Sequence, residues 1–213
     1  MFLTQERLDY VKEAINGQHG SDLLLTELRE FMKAEFDVNL YCFFCDGEGK
    51  SRRLLYLLNE TDKCFFYEGP WNNRDLKKEA KIKDEFSRLC CKYDKYEAYK
   101  DPAAYFAIAE EFESDIRLEL MNACKSSIES YLGTVKEVKL TNFSFDNVYI
   151  FYELDEHIKI HEEDGLSEDI SERIFAILKK NDNYSVCKEK RVFFDSIQTL
   201  NEKYNGSLFN YLR

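Results

Sequence analysis

The chain has 213 residues, with 41 acidic and 30 basic side chains and a formal charge of −11. So acidic a chain is excluded as a general binder of phosphate backbones, which select basic surfaces. A 44% hydrophobic content, with 17 Phe and 14 Tyr, excludes disorder, and 2 Pro with 8 Gly exclude a fibrous or linker-rich chain. The length allows one large domain or two small ones with a real core.

Taken in chain order, Thr4 predicts a capped helix over about 5–16, with Leu8, Val11 and Ile15 on one face and Gly17 as its stop. Ser21 opens a second helix, whose Leu24, Leu28, Phe31 and Met32 recur at helical spacing. Three strand-like runs follow at 38–45, 53–58 and 63–68, and the short gaps between them predict an antiparallel meander. Cys42 and Cys45 form a C-x-x-C inside the first run. Residues three apart on a strand point to opposite faces, so the pair reads as two core residues, not a metal or redox site. Pro70, Trp71, Asn72 and Asn73 break the sheet. A helix then starts near Arg74 with Leu76, Ile82, Phe86, Leu89 and Tyr93 inward. Its Lys77, Lys78, Lys81 and Lys83 interleave with Asp75, Glu79, Asp84 and Glu85, which marks a solvated face and not a nucleic-acid contact.

Asp101 followed by Pro102 predicts the start of a long helix, with Tyr105, Ile108, Phe112, Ile116, Leu120 and Ala123 stepping by three and four. It is expected to run to Leu132, stop at Gly133 and serve as the spine on which the sheet packs. Runs at 135–140 and 148–154 predict strands, the second rich in β-branched and aromatic residues. Ser167 is expected to cap a helix with Glu168 and Asp169 in its first turn and Lys179 and Lys180 in its last, matching the helix dipole. Ile170, Ile174, Ile177 and Leu178 form its buried stripe. Short strands at 184–187 and 191–194 precede a last helix over about 196–204. No repeat is visible in the sequence. The predicted fold class is α+β: N-terminal helices, an antiparallel sheet, a long central helix packed on it, and further strand-helix units at the C-terminus. Residues 1–213 read as a single domain; two lobes would divide near 93–100.

The charge is unevenly spread along the sequence. Residues 1–100 hold 19 acids and 17 bases, residues 101–185 hold 19 and 8, and residues 186–213 hold 3 and 5. It is densest in Glu153, Asp155, Glu156, Glu162, Glu163, Asp164, Glu168 and Asp169, against Lys159 alone. Such a run serves either as a solubilising face or as a docking surface for a basic partner, where complementary charge raises the association rate. Its confinement favours docking.

The first residues, Met1 to Arg7, contain no basic segment followed by an apolar one, and no apolar run approaches the roughly 20 residues that cross a bilayer. Seven irregularly spaced cysteines argue for reduced thiols. The expected location is the cytoplasm, with no membrane and no nucleic-acid partner. His157 and His161, with Glu162, Glu163 or Asp164, offer the one candidate metal constellation, without a diagnostic motif. The chain has no G-x-S-x-G, P-loop or G-x-G-x-x-G. No catalytic residue, metal or cofactor is expected, and the chain reads as a binding protein and not an enzyme. A metal-dependent enzyme using residues near 157–164 is the alternative, and a structural subunit that buries its aromatic surface by oligomerisation is another. The oligomeric state stays open.

The C-terminal stretch reads Val192-Phe193-Phe194-Asp195-Ser196, then Asn201 to Gly206, then Phe209-Asn210-Tyr211-Leu212. A strand ending in Phe-Asp-Ser, a short helix, Tyr-x-Gly and an aromatic tail resembles the ends of bacterial immunity proteins. These are the cytoplasmic antidotes of polymorphic and contact-dependent growth-inhibition toxins. The resemblance covers roughly the last tenth of the chain. It implies a protein that neutralises a cognate toxin domain by direct binding. Many such toxins are nucleases with basic clefts, which an acidic surface would occupy or flank. Tyr149, Tyr152, His157, His161 and the carboxylates from Glu153 to Asp169 are the candidate contacts.

Overall fold

In a computed structural model, which describes residues 3–18, 22–68 and 73–213, the chain divides between Asp115 and Ile116 into two units. The segment 93–100 lies inside the first unit. Ser21, Pro70, Trp71 and Asn72 lie outside the described residues.

The first unit opens with helix α1 (Gln5–Ile15), whose Thr4 hydroxyl accepts from the Arg7 N–H at 3.4 Å. Leu8, Val11 and Ala14 form its buried stripe, and Ile15 is half-buried. Helix α2 (Leu23–Phe36) is capped by Asp22, whose carboxylate accepts from the Leu24 and Leu25 N–H groups at 3.0 and 3.4 Å. Strand β1 (Cys42–Asp46) starts four residues later than the expected run at 38–45 and pairs antiparallel with β2 (Arg53–Leu58), as predicted.

The third run does not complete a meander. Asn59 caps a short helix α3 (Glu60–Cys64), accepting from the Asp62 N–H at 2.7 Å. Only Tyr67–Glu68 is extended, as β3, and it pairs with β4 (Asn73–Arg74) in a separate ribbon. The place beside β2 is taken in parallel by β5 (Phe106–Glu111), so the sheet is mixed, in the order β1-β2-β5. This corrects the expected helix from Asp101. Asp101 accepts from the Ala103 N–H at 2.9 Å and Pro102 does begin a turn, but after one tight turn the chain extends. Burial then alternates through Tyr105, Ala107 and Ala109, the period of a strand. Helix α5 (Glu113–Leu132) begins only after β5.

Helix α4 (Leu76–Tyr93) is capped by Asp75, and buries Ile82, Phe86, Leu89 and Cys90 against α2 and the sheet residues Leu54, Tyr56, Leu58, Ala107 and Ala109. Leu76, expected inward, stands at the helix start and is 67% exposed. Cys45 joins this core and Cys42 does not, as the period of two requires. Burial pushes both thiols up to about 12, so they stay protonated and unreactive at neutral pH. All seven cysteines are free.

The second unit contains α5 from Ile116 onward, β6 (Leu140–Ser144), β7 (Asn147–Tyr152), α6 (Asp155–Glu163), α7 (Leu166–Asn181), β8 (Val192–Ser196), α8 (Ile197–Tyr204) and α9 (Leu208–Tyr211). β6 and β7 pair antiparallel across Phe145 and Asp146, and β8 lies parallel to β7. The expected strand at 135–140 begins only at Leu140, because Val135 and Val138 are held in successive turns. Nor is 184–187 a strand. The Asp182 carboxylate accepts from the Tyr184, Val186 and Cys187 N–H groups at 3.3, 3.1 and 2.8 Å, and so satisfies donors that a ladder would have used. Ser167 does not cap α7. Gly165 holds that position at φ +88°, Asp164 accepts from the Leu166 N–H at 2.9 Å, and Ser167 is buried inside the helix. The central helix, expected on the first sheet, packs on the second: Leu120, Met121, Cys124 and Ile128 of α5 join Val148, Ile150, Ile170 and Ile174 in one core. The other face of β7 meets Tyr211, whose ring lies 5.9 Å from Tyr149 and 5.2 Å from Phe151. The architecture is α+β. No helix among the described residues is long and apolar enough to cross a membrane.

Candidate functional site

The densest acidic run is largely helical. β7 ends at Tyr152, the chain turns through Glu153 and Leu154, and α6 carries the next nine residues. At 100° per residue, Asp155, Glu156, Lys159, Ile160, Glu162 and Glu163 share one arc, and all are exposed. His157, Ile158 and His161 fall on the other side and are partly buried. Glu153, Asp164, Glu168 and Asp169 extend the exposed carboxylates at both ends of α6.

Internal bonds anchor part of this set. Ser196 Oγ donates to Asp155 Oδ1, and Thr199 Oγ1 donates to the same oxygen at 2.9 Å. These two hydroxyls, Ser196 first, hold the Asp155 carboxyl below its usual range. Ser196 Oγ also accepts from the Thr199 N–H at 2.8 Å and thereby caps α8. One buried hydroxyl thus ties the N-termini of α6 and α8 together. Ser196→Ala is expected to cost the second unit about 1–2 kcal/mol, read by urea unfolding, because it removes a cap and one bond to a carboxylate. Asp164 is held low by the Leu166 N–H and by His161 Nδ1, which lies 3.0 Å away. Lys159 pairs with Glu163 at 3.7 Å, and Lys190 bridges Glu168 and Glu172. Among the described residues, Glu153, Glu156, Glu162 and Asp169 have no ion-pair partner.

The two candidate tyrosines do not share a face. Tyr152 is fully buried, its ring stacked on Phe194 at 5.7 Å and set against His161 at 4.7 Å, with its hydroxyl bonded to Ser167 at 2.9 Å. It belongs to the core. Tyr149, three residues earlier on the strand, points to the opposite face and stacks on Phe193 at 5.3 Å. The exposed apolar residues beside the carboxylates are instead Leu154 and Ile160, 38% and 48% exposed. Phasing 155–163 as a helix would have found Ile160; nothing local to the acidic run announces Ser196, Thr199 or Lys190. His157 and His161 stand one turn apart, rings 6.1 Å from centre to centre. Among the described residues no three His, Cys, Asp or Glu side chains converge on a point that could hold a metal ion.

The wider acidic stretch is divided between the two units. Asp101, Glu110, Glu111, Glu113 and Asp115 belong to the first unit. That unit holds 24 acids against 17 bases, and the second holds 17 against 13. What remains local is the α6 concentration. Comparison with protein-family models, curated proteins and solved structures returns no match to this chain.

Proposed function

We propose that the chain is an immunity-type binding protein of the cytoplasm, and that α6 docks a basic toxin domain. One observation carries this reading: between Glu153 and Asp169 eight exposed carboxylates face one lysine, and four of the eight, Glu153, Glu156, Glu162 and Asp169, have neither an ion-pair nor a side-chain hydrogen-bond partner among the described residues. Unpaired surface charge of one sign steers an oppositely charged partner and costs little to desolvate at the rim of an interface. Leu154 and Ile160 supply apolar area amid that charge, as the better-dried centre of an interface requires. The C-terminal resemblance supports the same class of protein, with β8 and α8 as the frame that holds α6 through Ser196. No catalytic or cofactor chemistry enters this reading.

The test is co-expression of the full chain with basic toxin domains encoded beside its gene. Growth protection is expected from the native chain. It should fall sharply for E153Q/E156Q/E162Q/D169N, which keeps side-chain size and removes four charges. Full protection by that variant, or none by the native chain against any neighbouring domain, overturns the proposal.

A further inference from the structure

We infer that the protein is a tandem duplication, two copies of one α-β-β-α-β unit with no resemblance left in sequence. The first copy runs α2, β1, β2, α4, β5; the second runs α5, β6, β7, α7, β8. In each, the first two strands pair antiparallel, the third lies parallel to the second, and the second is central: β1-β2-β5 and β6-β7-β8. The registers end alike. Leu58 faces Glu111 where β2 and β5 stop, and Tyr152 faces Ser196 where β7 and β8 stop.

Facing is conserved as well, and a one-residue slip would have destroyed it. Counted back from those ends, Tyr56 corresponds to Ile150 and Ala109 to Phe194, and each packs on the helical core of its own unit. The helices carry the same stripe. Leu24, Leu25, Leu28 and Met32 of α2 are spaced as Leu120, Met121, Cys124 and Ile128 of α5 are, at i, i+1, i+4 and i+8. Ile82, Phe86 and Cys90 of α4 match Ile170, Ile174 and Leu178 of α7, at i, i+4 and i+8.

A hydrogen bond that neither pattern demands recurs in both copies. The first backbone N–H of the helix after the second strand donates to a side chain two residues beyond the end of the third. In the first copy Glu60 N–H donates to Glu113 Oε2 at 2.9 Å; in the second Asp155 N–H donates to Gln198 Oε1 at 3.3 Å. Packing selects hydrophobic spacing, but it does not require the same amide to find the same strand-end position twice.

The copies diverge most between the second strand and the crossover helix. The first copy places α3 and the β3–β4 ribbon there, and the second places α6. In both this segment leaves the carboxyl end of the central strand, beside a parallel neighbour, where mixed and parallel sheets gather their ligand contacts. The acidic helix is thus the second copy's own version of the one connection that changed most. The duplication stands on backbone pairing and does not depend on whether α6 docks a partner.

Solution NMR of the full chain tests it. Inter-strand contacts should place Tyr56 opposite Ala109 and Ile150 opposite Phe194, both in parallel ladders. Glu113→Ala should speed amide exchange at Glu60 about threefold or more, and Gln198→Ala should do the same at Asp155, whereas Glu113→Gln keeps Glu60 protected. Another strand order, or a register displaced by one residue in either sheet, overturns the duplication. So does exchange at both amides that is indifferent to the alanine variants.

Discussion

Phe86→Ala is expected to destabilise the first unit by about 3–5 kcal/mol, among the largest effects of any single substitution there. Phe86 is fully buried at the middle of α4. Its ring meets Phe43 edge-on at 5.0 Å and lies 6.1 and 6.2 Å from Tyr99 and Tyr105. Truncation therefore loses the transfer free energy of a large side chain, leaves a cavity, and strips three edge-to-face contacts of their partner. Those neighbours belong to different elements. Phe43 stands on β1, while Tyr99 and Tyr105 flank the turn that leads into β5, and the Tyr99 hydroxyl holds the Arg53 and Asp46 carbonyls. They cannot close the cavity without moving strands. Urea unfolding followed by circular dichroism, with exchange of the β2 amides, reads the loss. Total stabilities are only about 5–15 kcal/mol, so a shift of this size is well resolved. A change below 1 kcal/mol would contradict the packing described for α4.

Asp146→Ala is expected to cost the second unit a similar amount, about 3–5 kcal/mol, by an electrostatic route. Asp146 lies in the two-residue turn between β6 and β7. Its Oδ2 binds Arg117 Nε at 2.8 Å and Arg191 Nη1 at 3.2 Å, with side-chain exposures of 11%, 8% and 26% for Asp146, Arg117 and Arg191. One carboxylate thus joins α5, the β6–β7 turn and the start of β8, where the Arg191 carbonyl also accepts from the Val148 N–H at 2.9 Å. Removing it takes a charged partner from the nearly buried Arg117, while Arg191 keeps Glu189 at 2.7 Å, and the penalty of breaking a poorly solvated pair exceeds that pair's net worth. Asp146→Asn keeps an acceptor of the same shape and should cost less, because a neutral acceptor makes weaker bonds to guanidinium. A double-mutant cycle with Arg117→Met should show coupling, since Met removes the charge that Asp146 was holding. Additive losses would contradict a shared network.

The helices were legible where a polar cap preceded a clean apolar stripe. Thr4 with Leu8 and Val11 is one case, and the crossover stripe at Ile170, Ile174 and Leu178 is another. Caps failed where a second residue competed: with Asp164 beside it, Gly165 caps α7 two residues before the serine that looked right. β5 was missed because Tyr105, Ile108 and Phe112 step at helical spacing, while the buried face of the strand is carried by the small residues Ala107 and Ala109. The deciding fact, that β2 needed a parallel partner, is held far away in the chain. The site shows the same division. The acidic residues were visible as a run, and their exposure follows from their charge. Tyr149 and Tyr152 could be sorted only once the strand's two faces were known, one covered by α5 and α7 and the other by Tyr211. The Ser196 tie to Asp155 joins residues from the two ends of a crossover, and no local pattern announces it.

The docking role of α6 is tested most directly by the association rate of the purified full chain with its basic toxin domain, measured across ionic strength for the native chain and for E153Q/E156Q/E162Q/D169N. Exposed charges act over about 10 Å at 0.1 M salt and about 3 Å at 1 M. The native rate should therefore fall steeply with salt, exceed that of the variant by at least about tenfold at low salt, and converge with it at high salt. Equal rates for the two proteins at every salt concentration would contradict the assignment of α6 as the docking surface.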